Sequence, residues 1–546
     1  MMNGTSHGFV PNRRQLTDGD APGRARLANP LVPRRPPTIV DPAGRPVSVV
    51  EYGTRRVLVV FGVMLATLLQ TLDSTITNVA LPAIQGNLGA SSDEGTWVIN
   101  GYTIAVVIVI PIIPWLQTVL GRKRYFLISI AGFTAMSFLC GVASSIDELI
   151  AFRVLQGIFG AGLLATAQTI LRDTFQESQI GISQAIFALG AVVGPALGPP
   201  LGGLLVDNAS WNWCFEINIA PGIASFLILT ALLRDPEQAS RKPLDIVGLA
   251  LLIVGIGAFQ YLLSEGERYD WFGNTTIVWC AVLAVIGIGG LIVWELRGAR
   301  HPIVDIAIFR YRSLAAGVAL ALVIGAALLG TGYVLPQYVQ VSLGFTATLS
   351  GLLVLVKALP IAALTLLLAP LTTKLDTRYF IALGFGLTGL ACFWQGIDTT
   401  SLSDFGSFTG ALILSGGALA FMYVPISVAV LGAVPHERGG SASAWVNLAI
   451  QLGGSISIAM LSTLVDRRTA FHLSALAGTV TSANAHLGPI PTLGQLAGIA
   501  GLVHGQATVM AYADTSYAVA LISALAIPLV FVMRKPRTGG TVEFGG

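Results

Sequence analysis

Residues 68–84 read "LLQTLDSTITNVALPAI"; they lie in an apolar run that starts at Val57 and holds one acid, Asp73. A run of this length is what a helix needs to cross a bilayer. A carboxylate at the centre of such a helix costs about 2.5–3.5 kcal/mol on insertion scales, so groups kept there usually face a cavity or a partner. The stretch therefore places the chain in a membrane and marks a residue whose presence needs a reason.

The rest of the chain agrees with the first point. Of 546 residues, 54% are hydrophobic and 11% charged, whereas soluble domains carry about 25% charged residues. Apolar runs of roughly 20 residues recur between short polar gaps, and the short alternating strands of a membrane barrel are missing from the pattern. About fourteen spans are expected, from Val57–Leu81 and Trp97–Leu116 to Ala442–Leu464 and Tyr517–Met533. Residues 1–54, rich in Arg, Pro and Gly with no periodic apolar face, read as a disordered tail, and 535–546 as a second tail. No short apolar core followed by a small-residue cleavage site precedes the first span, so that span is expected to be retained. Cys140, Cys214, Cys280 and Cys392 are scattered without paired spacing and suggest neither disulfides nor a metal site.

An even number of spans puts both termini on one side. With them fall Arg55, Arg56, Arg122, Lys123, Arg124, Arg172, Arg234, Arg297, Arg310, Arg312, Arg378 and Arg438, while the opposite loops hold Arg268, Arg467 and Arg468. Positive loops stay inside, so both ends are expected to be cytoplasmic. The outer loops are acidic, and one is long, from Asp466 to about Asp514. Its apolar stretches are short and interrupted, which suits an amphipathic hairpin at the interface better than a further span.

Three charges remain well inside spans: Asp73, Arg153 and Lys357, with Glu216 and Glu295 at span ends. Asp73 is either a passive carboxylate bonded to Ser74 or Thr77, or a proton carrier, since burial favours a neutral carboxyl and water or a nearby cation favours the ionised form. Arg153, in "FRVLQGIFGAGLLATAQ" (152–168), is never deprotonated. It is either an anchor reaching for the outer interface or, with Gln156 one turn on, a cavity group. Lys357, in "GLLVLVKALPIAAL" (351–364), is open to the same two readings. If it faces a cavity, anionic or neutral hydrophobic compounds are favoured over dications, because like charges repel strongly where water is scarce. The segment "ISQAIFALGAVVGPALGPPLGGLL" (182–205) carries Gly190, Gly194, Gly198 and Gly202 every fourth residue, with Pro195, Pro199 and Pro200 among them. A bare stripe of this kind permits close helix approach in lipid, as ordinary packing or as a gate that seals tightly in one state.

These segments together resemble the major facilitator superfamily, and within it the fourteen-span drug:proton antiporters of the EmrB/QacA type, on the EmrB side. "LDSTITNVALPAI" (72–84) resembles the first-span signature, "FRVLQGIFGAG" (152–162) the fourth-span motif and "GAVVGPALGPPLGG" (190–203) the antiporter motif of the fifth. "WNWCFEINIAPG" (211–222), "LLSEGERYDWF" (262–272), "LPQYVQVSLGFTATLSGLL" (335–353), "PHERGGSASAWVNLAIQLGGSISIA" (435–459) and "QATVMAYADTSY" (506–517) follow in the family's order.

The resemblance implies an all-α integral membrane fold: two six-helix bundles, 55–234 and 313–534, with two inserted helices within 244–296 and the long periplasmic loop 466–514 in the second bundle. It implies a proton-coupled exporter of amphipathic compounds in a bacterial inner membrane, working by alternating access around a midplane site. A periplasmic adaptor and an outer-membrane channel are the implied partners. By the same resemblance Asp73, Arg153 and Gln156 couple protons, Gly190, Gly194, Pro195, Gly198, Pro199 and Gly202 form the antiporter gate, and Gly121, Arg122 and Lys123 form the closure loop. Lys357, Gln337 and Asn447 are the candidate cavity residues. Thr118 stands where the wider superfamily has Asp, Pro114 where it has Gly, and Ile450 where a basic residue is expected. No cofactor, metal or nucleic acid is expected. An embedded enzyme would need a nucleophile, a metal cluster or paired carboxylates, and the six histidines form no such set. A receptor or scaffold would carry a folded output domain. Export of an endogenous metabolite, lipid or siderophore on the same fold stays open.

Overall fold

Polar caps set where several of the spans begin. The computed structural model describes residues 39–40, 46–47, 51–176, 179–234, 243–298, 302–368, 370–372, 375–435, 438–480 and 492–533. Ser91 and Glu94 form a reciprocal capping box at the start of the second span, Asp404 and Ser407 do the same before the twelfth, and Thr492 and Gln495 before the last. Each box satisfies amide donors that a helix start leaves open. The first helix stops at Gly89, whose φ of 63° lets its N–H return to Gln85, the left-handed ending that glycine adopts without a side-chain clash.

Among the described residues fourteen helices are long and apolar enough to span: α1 Gly53–Leu88, α2 Glu94–Leu120, α3 Arg122–Gly141, α4 Ile146–Thr174, α5 Ile180–Asn208, α6 Trp213–Leu232, α7 Ile246–Glu265, α8 Thr275–Arg297, α9 Arg312–Val341, α10 Thr348–Leu368, α11 Thr377–Asp398, α12 Phe405–Gly432, α13 Gly439–Ala477 and α14 Leu493–Val530. Two of them are locally rewound. A 3₁₀ turn at Ile110–Ile112, opened by Pro111, interrupts α2, and a π turn at Ala326–Gly330 interrupts α9.

Packing divides the helices. α1 lies against α4, α5 and α6, and α4 against α2 and α3; in the second half α11 packs on α12 and α14, and α13 on α9 and α14. These are the two six-helix bundles. The inserted pair α7 and α8 pack on each other, and α7 touches both α2 and α13. α8 turns an apolar face outward, with Trp279, Val285 and Ile286 exposed, as a lipid-facing helix does. Helix order puts the start of α1 and the end of α14 at one end of the molecule, called here the terminal end. Contacts hold it together: Glu51 N–H donates to Thr174 O at 3.2 Å, and Arg55 donates to Leu232 O at 2.6 Å.

The stretch 466–514, expected to be a loop, is helical at both ends. α13 runs 39 residues and α14 38, on the order of 58 Å each at 1.5 Å per residue, against a hydrocarbon core of roughly 30 Å. Apolarity is needed only inside the bilayer, so polar residues such as Arg467, Arg468 and Asp514 do not end these helices. Arg468 and His472 on α13 hold Asp514 on α14 at 2.5 and 2.8 Å, clamping the two extensions together. Residues 481–491 lie outside the described residues, as do 534–546 and most of 1–50. Within the first tail, Ile39–Val40 pairs antiparallel with Pro46–Val47.

Candidate functional site

Asp73 lies at the middle of α1, not near its end, with 0% of its surface exposed. One oxygen accepts from Arg153 Nη1 at 2.5 Å. The other accepts from Gln156 Nε2 at 3.1 Å and from Asn218 Nδ2 at 2.9 Å. The carboxylate of α1 is therefore held by α4 and α6 at once. Neighbouring hydroxyls take no part: Thr77 donates to the backbone O of Asp73 at 2.9 Å and Ser74 to Thr71 O at 2.9 Å.

Arg153 is 1% exposed, so it does not reach an interface. Its Nε donates to Val98 O at 3.0 Å, its Nη1 to Gln156 Oε1 at 2.7 Å, and its guanidinium lies 4.2 Å from the centre of the Tyr102 ring. Ser137 on α3 accepts from Gln156 at 2.6 Å and Asn218 at 3.3 Å. Such a cluster meets the requirement that buried charge be both paired and hydrogen-bonded. One acceptor is left over: Asn218 Oδ1 is buried without a donor among the described residues. α2 and α4 come close enough to build the site because Gly157 sits on the Tyr102 carbonyl, where a Cβ would not fit.

The glycine stripe of α5 faces α1, inside the first bundle. A Cβ at Gly194 would fall on Thr71, at Gly198 on Thr75, and at Gly202 on Ile76; Thr71 Oγ1 donates to Gly190 O at 3.2 Å. The seam thus grips the turns that flank Asp73. Pro195, Pro199 and Pro200 all stand inside α5, and Pro200 lies against Gly351 of α10 in the other bundle.

At the terminal end Gly121 takes a φ of 83° between α2 and α3, which frees Arg122 to pair with Asp173 at the end of α4. Lys123 Nζ donates to Thr230 O at 2.8 Å. Thr118, in the position of the missing Asp, bonds Pro114 O at 2.8 Å, and Asp173 supplies the carboxylate instead.

The three candidate cavity residues are not brought together. Asn447 sits where the bundles meet, donating to Gln168 Oε1 at 2.9 Å; Gln168 also accepts from Ser443 and donates to Gln184 at 2.9 Å and Ser427 at 3.5 Å. Arg172 reaches across to Leu431 O at 2.9 Å. These ties between the bundles lie in the half nearer the terminal end. Gln337 is exposed on α9. Lys357 is inside the second bundle, 8% exposed, donating to Thr331 Oγ1 at 2.7 Å. Glu295 accepts from Ile303 and Val304 N–H at 3.2 and 3.1 Å, which makes it a loop clamp. Asn218, Ser137, Tyr102, Asp173, Gln168 and Thr331 were not singled out in the sequence. A polar side chain within an apolar span was the available signal for Asn218 and Gln168.

The family model described as Major Facilitator Superfamily matches residues 63–458. The chain is 36% identical over 437 residues to the multidrug export protein EmrB of Escherichia coli K12, covering 79% of this chain and 84% of that protein. It is 35% identical over 432 residues to the fatty acid resistance protein FarB of Neisseria gonorrhoeae, covering 78% and 83%. Among solved structures, the human organic anion transporter MFSD10 (TETRAN) superposes with a TM-score of 0.57 at 15% identity, over 86% of this chain and all of that one. That likeness is one of fold alone.

Proposed function

The chain belongs to the major facilitator superfamily and is a multi-pass membrane transporter, and from that premise we propose that it is a proton-coupled inner-membrane antiporter exporting amphipathic compounds. The observation that carries the reading is the fully buried Asp73, ion-paired with Arg153 and bonded to Gln156 and Asn218. In this reading Asp73 holds its charge while Arg153 faces it and gives up that pairing when it takes a proton. The spare Asn218 Oδ1 supports loading, because a turn of that amide offers the new O–H an acceptor. A membrane potential of 100 mV contributes about 2.3 kcal/mol per charge moved, enough to drive accumulation against a gradient. Relatives named for multidrug export and for fatty acid resistance fit amphipathic cargo.

Alternating access follows if the ties from Gln168 to Ser443 and Asn447 close the terminal end in this state and release in the other. The basic residues on that side support a cytoplasmic position for both termini. The units are residues 55–234, 244–296 and 313–534, with the gate at Gly190–Gly202 acting by holding α5 to the Asp73 turn and the closure loop by the Arg122 pair. In everted vesicles Asp73→Asn should lose proton-dependent drug transport while still binding drug. Transport at the wild-type rate overturns the coupling assignment.

The extended α13 and α14 are the proposed seat of a periplasmic adaptor, since Phe471, Leu493 and Leu502 are exposed there. Deleting residues 473–505 should abolish adaptor pull-down, and unchanged capture refutes the idea.

A further inference from the structure

Two amides bond Asp73, and they differ in what their other ends do. Gln156 is engaged at both: its Oε1 accepts from Arg153 at 2.7 Å, and its Nε2 donates to Asp73 at 3.1 Å and to Ser137 at 2.6 Å. Asn218, 1% exposed, donates from Nδ2 to Asp73 at 2.9 Å and to Ser137 at 3.3 Å, while its Oδ1 is buried with no donor among the described residues. An ionised carboxylate only accepts, so it needs the nitrogen side of an amide; a protonated one also donates and needs an oxygen. The charged and titratable groups around Asp73 supply no better acceptor. Arg153 on α4 has donors only, Cys140 on α3 and Cys214 on α6 are weak acceptors, and Tyr102 on α2 turns its hydroxyl toward Gly160.

Asn218 also stands where α6 is broken. Trp213–Glu216 and Ile219–Leu232 are separate helices, and the Asn218 N–H turns back to Phe215 O at 3.2 Å, three residues before it. Pro221 explains the break: it has no N–H to give to Ile217 O, and its ring crowds that carbonyl. The 14-residue segment beyond the break, about 21 Å long, runs to the terminal end. On the way it presses on α3, where a Cβ at Gly222 would fall on Thr134, and on α1, where Ser225 donates to Gly62 O at 2.7 Å. At its far end the Thr230 carbonyl accepts from Lys123 at 2.8 Å and the Leu232 carbonyl from Arg55 at 2.6 Å. One piece of helix thus joins the amide on Asp73 to the lysine of the loop between α2 and α3.

We propose that Asn218 is a positioning residue that converts the charge state of Asp73 into a movement of residues 219–232, and so sets whether Lys123 is held at the terminal end. When Asp73 takes a proton, the Asn218 amide turns to present Oδ1. Its Nδ2 then leaves both Asp73 and Ser137, and a buried donor left open is unfavourable. The break at residues 217 and 218 is where α6 yields, and the helix beyond it carries the shift to Thr230. The inference rests on the coupling reading above and adds the route by which the proton acts. Transport and the state of Lys123 are read separately, so the two are distinguishable. An Asp73→Asn variant that still transports refutes proton coupling, whereas one that loses coupled transport without a change at Lys123 refutes the α6 route alone.

The test holds pH fixed and uses the full chain in lipid nanodiscs, with Asp73→Asn standing for the neutral acid, since an amide, like a carboxyl, both donates and accepts. The readout is the rate at which an amine reagent labels Lys123, resolved by peptide mass spectrometry. Release from Thr230 O should raise that rate roughly 2–10-fold in Asp73→Asn over wild type, the range of one net hydrogen bond. In an Asn218→Ser background a hydroxyl donates or accepts by rotating its hydrogen alone, so the same Asp73→Asn change should leave the rate where it was. A merely structural role for Asn218 would move both forms alike and keep their ratio. An unchanged rate in Asp73→Asn, or a ratio that survives Asn218→Ser, overturns the proposal. If the Ser variant does not fold, Pro221→Ala decides: it restores the missing N–H without touching Asp73, the response at Lys123 should be lost, and a response that persists refutes the route.

Discussion

Each six-helix bundle buries a cation inside a span, and the two are treated in opposite ways. In the first, Arg153 is closed in by Asp73, Gln156, the Val98 carbonyl and the Tyr102 ring. In the second, Lys357 has one neutral hydroxyl among the described residues. In the first arrangement the buried charge is matched by an opposite one, with Asn218 Oδ1 left as a spare acceptor beside it. In the second the ammonium keeps donors that the Thr331 hydroxyl does not use.

The comparison breaks most sharply on removal of each cation in turn. Arg153→Met leaves Asp73 charged and enclosed, and breaking a buried pair from one side costs about 3–5 kcal/mol. Lys357→Met removes a cation that no acid awaits, and Thr331 keeps its bond to Ala327 O. The expected change is under about 1 kcal/mol, since a flexible apolar chain fills the same space without a charge to desolvate. Thermal denaturation of the purified protein in detergent ranks the two. Equal losses would show that Lys357 is held as firmly as Arg153.

How far the sequence leads follows the same division between local and tertiary facts. Spans were legible because a helix in hydrocarbon satisfies its own backbone and needs about 20 apolar residues. Asp73, Arg153 and Lys357 stood out as charges among apolar neighbours, but whether two of them meet depends on how α1 and α4 pack, which no run of residues records. The long helices at 439–477 and 493–530 were hidden because hydropathy reports only the part inside the bilayer. The Thr492–Gln495 box that starts α14 was a local signal for helix there. The glycine stripe of α5 was plain, yet the side it faces was not: close approach to α1 and close approach to the other bundle require the same four glycines. Asp173 went unnoticed since it sits at a span end, where a charge needs no explanation; only packing shows that it pairs with Arg122.

The smaller contrast lies in backbone spacing, and glycine tests it. At Gly194 a Cβ would meet Thr71 Oγ1, its Cβ and the Leu72 backbone, so α1 and α5 must part for any side chain. Overpacking of this kind costs about 1–3 kcal/mol, and parting these helices also shifts the turn that carries Asp73. Gly194→Ala should therefore lower both melting temperature and proton-coupled transport. At Gly332, one residue past Thr331, nothing lies within 4 Å of a built Cβ. There the methyl gains helix propensity, up to about 1 kcal/mol, and meets no neighbour. Gly332→Ala should raise the melting temperature slightly and leave transport of neutral compounds as it is. A melting temperature lowered by Gly332→Ala as much as by Gly194→Ala would mean that the exposed face of α9 is packed as closely as the α1–α5 seam.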